Sequence, residues 1–463
     1  MAAGLRRLTT SSGAERSRSG LTLAELLVAA ALSVIVIGAV ASLFAVFSRT
    51  IRHSQATVDL GAMMRGTAWQ LRQDLAGLTC PVGPWIAPAD DRGYFELLEG
   101  PRRDLTDAFS GADPSANLTA DTDDVLLFTT QTLAEPFVGR FGGAMIESPY
   151  AEVAWFCRPL PRADQRVPGT TLCALHRRQL LVINYLGRGD LEDNTIRSVP
   201  PAVVDRSTYD VSLRRLAAAT PHTALVPNSL GDLSKRENRF LRDGFAYLTQ
   251  RGGQRTLPPG EFPHAFPLDP ATGHPVDAAT LDETARADED VLLRNVIAFD
   301  VRVFDPRATS MQVGDAWRLP GDPGYVPAPA AGGPSGAYVD LGWGGGSPAA
   351  ASEAFPPVGQ TAFQSAGCRV SDAPGNAVLP VASYDTWSRH YEFNGVDDDH
   401  DGIIDEASNG IDANEDGWPE ATGDTETMPP YPLPLRGLEI RLRCYEPISK
   451  QIRQLTIRHA FTP

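Results

Sequence analysis

Two consecutive fifteen-residue stretches, NGVDDDHDGIIDEAS (394–408) and NGIDANEDGWPEATG (409–423), hold acidic residues at a spacing suited to a hard cation. Each carries the pattern D-x-[DN]-x-D-G-x-x-[DE]. Asp397, Asp399, Asp401 and Asp405 flank Gly402 in the first, and Asp412, Asn414, Asp416 and Glu420 flank Gly417 in the second. Alternate short acidic side chains on a tightly turning loop bring their oxygens to one point, and calcium takes six to eight such ligands. The glycine permits the turn, and the carbonyls of Ile403 and Trp418 extend the ligand set. The bland alternative is a solvated acidic loop, since twelve acids and no Lys or Arg fall between 397 and 426. Generic acidity would not keep glycine and ligand positions in step through two copies. Structural Ca2+ is therefore the expected cofactor.

Glu25 is the other residue whose type is out of place. It is the only charge from Leu21 to Ser48, in a run whose length suffices to cross a bilayer as a helix. An unpaired carboxylate at membrane depth costs about 2.5 kcal/mol or more, so such residues usually mark a function. Before the run, residues 1–20 carry Arg6, Arg7, Arg16 and Arg18 against Glu15, which reads as a flank held in the cytoplasm. The plain reading is an uncleaved signal anchor; a secretory signal peptide fits less well, because its apolar region is shorter.

Gly20 and Glu25 together carry more than the plain reading explains. The stretch GLTLAELLVA resembles the prepilin-type cleavage and methylation signal of type IV pilins and of type II secretion pseudopilins. The resemblance implies that a prepilin peptidase cuts between Gly20 and Leu21, although the family usually has phenylalanine where Leu21 stands. It also implies that Glu25 meets the new α-amine of Leu21 on a neighbouring subunit, an attraction that offsets part of the desolvation cost. The acidic loops depart from an EF-hand at position twelve, which is Ser408 and Gly423, with Glu406 the nearest substitute. They resemble extracellular calcium loops of the thrombospondin or dockerin sort.

The elements that must position these residues are legible as periodicities. No proline occurs before Pro81, and Met64, Ala68, Leu71, Leu75 and Leu78 repeat at spacings of three and four, so the membrane helix is expected to continue to about residue 79. Strands are expected at 123–132, 152–157, 171–185, 295–305, 437–446 and 452–461. In the fourth, Ile297, Phe299, Val301 and Val303 alternate with Asp300 and Arg302. In the fifth, Leu438, Ile440, Leu442 and Cys444 alternate with Glu439, Arg441 and Arg443, which gives each strand one buried and one wet face. The second and third read as a hairpin across which Cys157 and Cys173 can face each other, one disulfide option among five cysteines.

This order is similar to the J-type minor pseudopilin. The resemblance implies an α+β pilin-like fold, a long N-terminal helix packed on an antiparallel β-sheet domain with long loop insertions. The expected organisation is a leader (1–20), a transmembrane helix (21–48), its amphipathic continuation (49–79) and a β-rich domain (80–304). A Gly/Pro/Ala-rich insertion (305–393), the acidic loops (394–423) and a C-terminal strand pair (431–463) follow. Net charge of -16 and pI near 5.0 speak against a nucleic-acid partner. Eight scattered histidines, with no H-E-x-x-H, G-x-S-x-G or Walker pattern, give no sign of an enzyme.

The expected function is that of a minor pseudopilin, a structural subunit partnered by the peptidase, the inner membrane and other pilin-like subunits, with its C-terminal domain in the periplasm. The alternatives are a minor type IV pilin for adhesion or DNA uptake and a membrane-tethered, calcium-dependent binding or hydrolytic domain.

Overall fold

The computed structural model describes residues 22–83, 86, 90–98, 121–141, 144–165, 167–183, 210–215, 225–234, 238–241, 289–314, 316–318, 335–341, 383–386 and 434–461. The chain divides into two compact units, Met1–Val58 and Asp59–Pro463. The helix, α1, spans Leu23–Ala76 in 54 residues. Its first half is apolar and exposed, and it is the one helix among the described residues long and apolar enough to cross a membrane. Within that half the hydroxyls of Ser33, Ser42 and Thr50 donate to the carbonyls of Ala29, Gly38 and Val46, four residues back. Each of these bonds satisfies its hydroxyl within the helix, as an apolar surrounding requires.

The second half of α1 is one side of a core. Met64, Ala68, Leu71 and Leu75 are buried along one stripe with Leu60, as the spacing predicts, and each large side chain contributes about 2 kcal/mol of apolar burial. The other side of that core is a nine-stranded sheet.

Among the described residues the strands are, in order, β1 (Phe95–Leu98), β2 (Val125–Gln131), β3 (Phe137–Phe141), β4 (Ala144–Ser148), β5 (Tyr150–Pro159), β6 (Cys173–Val182), β7 (Leu213–Arg215), β8 (Leu225–Pro227), β9 (Glu289–Thr309), β10 (Met311–Val313), β11 (Ala316–Arg318), β12 (Ser335–Val339), β13 (Ser383–Asp385), β14 (Gly437–Glu446) and β15 (Gln451–Ala460). The main sheet runs β13-β1-β2-β5-β6-β9-β14-β15, with β12 added to β9, and every pairing in it is antiparallel. The architecture is α+β, as expected, and the expected strands all occur.

The insertions hold more of the fold than their composition suggests. β12 and β13 come from the Gly/Pro/Ala-rich insertion (305–393) and join the main sheet. Leu230, Leu233 and Phe240, from the region between β6 and β9, pack on the face of the sheet opposite α1, against Leu127, Ala154, Phe156 and Leu180. β5 and β6 are therefore covered on both faces, which accounts for their nearly continuous burial.

The wet face expected beside the alternating residues of β9 is instead a buried ionic layer that reaches Glu439 of β14, whereas Arg441 and Arg443 of β14 stay partly exposed, as their alternation predicts. Asp300, Arg302 and Glu439 are buried. Arg302 lies 3.1 Å from both Asp300 and Asp340, and Glu439 takes Arg441 at 2.8 Å and Arg458 at 2.7 Å. Alternation reports which residues are polar, and polar side chains stay buried when cations and anions are interleaved.

Candidate functional site

The helix that carries Glu25 begins with a capping box. The backbone N–H of Glu25 donates to Thr22 Oγ1 at 3.2 Å, while Glu25 Oε2 accepts from the Thr22 N–H and from Thr22 Oγ1, both at 2.9 Å. This is the reciprocal arrangement in which a threonine at the N-cap and a glutamate three residues on satisfy each other's backbone donors. The T-x-x-E signature of such a box stands in the sequence at Thr22 and Glu25. Its effect is to hold the carboxylate at the very start of the apolar helix. Gly20 and Leu21 lie outside the described residues.

A second polar centre fixes the other end of α1. Asp74 is buried; its carboxylate accepts from Arg177 Nε (2.7 Å) and Nη2 (2.9 Å), from Trp155 Nε1 (2.9 Å) and from Gln70 Nε2 (3.0 Å). Its backbone carbonyl accepts from Thr130 Oγ1 at 2.7 Å. One aspartate thus joins α1 to β2, β5 and β6, and the bidentate guanidinium supplies direction as well as charge. The helix ends one residue before Gly77, whose N–H donates to Gln73 O and whose carbonyl accepts from Gln131 N at 2.6 Å. A Cβ at position 77 would fall 2.0 Å from Gln131 O, so only glycine allows this approach.

A third centre lies beneath the opposite face. Glu152 accepts from Tyr94 Oη (2.8 Å), Ser212 Oγ (2.6 Å) and the Phe240 N–H (3.0 Å). Burial pushes its carboxyl up from the ordinary 4.5 to about 7 against these bonds. A proton held more tightly in the folded state stabilises that state fully below the unfolded value, and the gain is lost as pH rises through the folded one. Stability is therefore expected to fall by about 3 kcal/mol between pH 4.5 and 7 on account of this group. In Glu152→Gln, which presents a neutral amide at every pH, that slope should be missing from denaturant titrations at stepped pH. A retained slope would assign the effect elsewhere.

Three further carboxylates gather at the entry to β2. Asp121, Asp123 and Asp124 are buried, and one oxygen from each lies within 4.8 Å of the other two. The strand expected at 123–132 contains Asp123 and Asp124, and Asp121 precedes it.

The remaining expected sites divide between those the structure corrects and those it does not reach. Cys157 and Cys173 are thiols and no bridge joins them. The hairpin register sets Cys157 opposite Leu175 and Cys173 opposite Pro159, so the two sulfurs are diagonal neighbours. Burial, then the nearby Cys173 and Cys444, pushes the Cys157 thiol up, and burial pushes Cys444 up to about 12; both behave as small core groups. The acidic loops at 394–423, with every expected ligand from Asp397 to Glu420, lie outside the described residues.

No family model, no curated protein and no solved structure matches this chain.

Proposed function

We propose that the protein is a minor pseudopilin-like structural subunit, cleaved after Gly20 by a prepilin peptidase, anchored in the inner membrane by α1 and assembled into a type II secretion pseudopilus. The observation that carries the reading is Glu25. It is the one charge in the apolar run, held by Thr22 at the first turn of the helix, where a neighbouring subunit's new α-amine would meet it. A helix whose second half packs on an antiparallel sheet supports the same reading, because a filament subunit needs a membrane half for storage and a folded half for the envelope.

Mass spectrometry of the chain recovered from membranes tests the first step. The mature protein is expected to begin at Leu21. A chain still beginning at Met1, or starting elsewhere, lacks the amine opposite Glu25 and overturns the proposal.

A further inference from the structure

The long strand β9 has one edge that no strand fills along its whole length. Val296 pairs with Cys444 on one side and Cys173 on the other, and Val303 pairs with Leu438 on one side and Val339 on the other. β6 and β12 therefore share one edge of β9, β6 ending at Val296 and β12 meeting it at Val303, with a notch between them. The segment 121–124 lies in that notch. The Phe299 N–H donates to the carbonyl of Asp121 at 2.8 Å, and the Val301 N–H donates to Asp124 Oδ2 at 2.6 Å. A carboxylate oxygen takes the place of a strand carbonyl, which pins the three acids against the sheet.

We propose that Asp121, Asp123 and Asp124 form a buried calcium site that closes this notch. Three anions whose oxygens gather within 4.8 Å are costly inside a protein unless a cation joins them. The second, independent observation is Asp124 itself. Its side chain is buried, its Oδ2 is used by Val301, and its Oδ1 has no hydrogen-bond donor among the described residues. A polar atom left bare in the core asks for a partner. The donors are all hard oxygens, which excludes a soft metal. Between the two common hard dications, a dry site favours calcium, because magnesium dehydrates reluctantly and keeps several waters.

The test uses the full chain in detergent, stripped with EDTA and returned to calcium or magnesium. Wild-type protein is expected to hold calcium by elemental analysis and to gain roughly 5 °C or more in Tm when calcium is well above its Kd, with a smaller gain in magnesium. Asp124→Asn and Asp123→Asn should each lose one calcium per chain and that gain in Tm. In EDTA both should be at least as stable as wild type, since a neutral amide replaces a bare anion. A variant neutralising Asp397, Asp399, Asp412 and Asp416 should keep the ion at this site, which separates it from the acidic loops. The proposal is overturned if wild type shows no calcium-dependent Tm, if both aspartate variants keep the full calcium content, or if the loop variant loses all calcium. Failure of both aspartate variants to fold with and without calcium also overturns it, because the charge would then serve the fold without the ion.

Discussion

Glu25→Val is expected to leave the chain cleaved and membrane-anchored but to lower its recovery in sheared filaments, or in cross-links to leader-bearing subunits, by tenfold or more. Tenfold corresponds to about 1.4 kcal/mol, well below the cost of leaving a carboxylate and an amine each unpaired in a lipid layer. Valine also destroys the capping box, so a second substitution separates the two roles. Glutamine three residues after the N-cap can still reach the Thr22 N–H, as glutamate does in the structure, but it carries no charge. If Glu25 serves only its own helix, Glu25→Gln should assemble like wild type; if it pairs with a neighbour's amine, Glu25→Gln should fail like Glu25→Val. Thr22→Ala completes the set. It removes the cap at a cost of about 1 kcal/mol to the helix and leaves the charge in place, so incorporation should persist. Normal incorporation of Glu25→Gln would remove the electrostatic basis of the proposed function.

Asp74→Ala should be among the most damaging single changes in the folded unit. It strands the Arg177 guanidinium and the Trp155 indole N–H in a place where their side chains are nearly inaccessible. Removing one partner of a buried ion pair costs about 3–5 kcal/mol, against a total stability of about 5–15 kcal/mol. Urea unfolding of the full chain in detergent, followed by tryptophan fluorescence, is expected to move its midpoint down accordingly. The double replacement Asp74→Leu with Arg177→Leu should recover the part of the loss that comes from the bare guanidinium, the Trp155 N–H staying unpaired in both variants. A loss in the double variant as large as in Asp74→Ala would mean that the pair is held for packing and not for charge.

Much of the framework could be read before any coordinates. The run of Met64, Ala68, Leu71 and Leu75 marks the buried stripe of α1, and the strands after it follow from β-branched and aromatic runs. Polarity was the misleading signal. Asp300, Arg302 and Glu439 alternate with apolar residues as solvent-facing groups do, and nothing in one strand tells which other strand will cover it with opposite charge. Short strands such as β12 and β13 have too few residues to show a period, and they exist because a long neighbour offers them an edge.

The candidate sites divide in the same way. Glu25 stood out because its surroundings in sequence are apolar, whereas Asp74 and Glu152 have ordinary neighbours in sequence and extraordinary ones in space. Asp121, Asp123 and Asp124 were adjacent in plain view. What makes them unusual is their burial, which the packing of β9 against them helps create.

The position of β9 governs when the molecule can become a finished object. Its neighbours are β6, from more than a hundred residues earlier, and β14, which lies almost at the carboxyl end. Such distant pairings are slow to close, because loop entropy must be overcome before any contact repays it. The flank of β9 that β14 covers therefore stays open until the strand that begins at Gly437 arrives. A chain lacking β14 is expected to offer that bare edge to a stray strand from another copy.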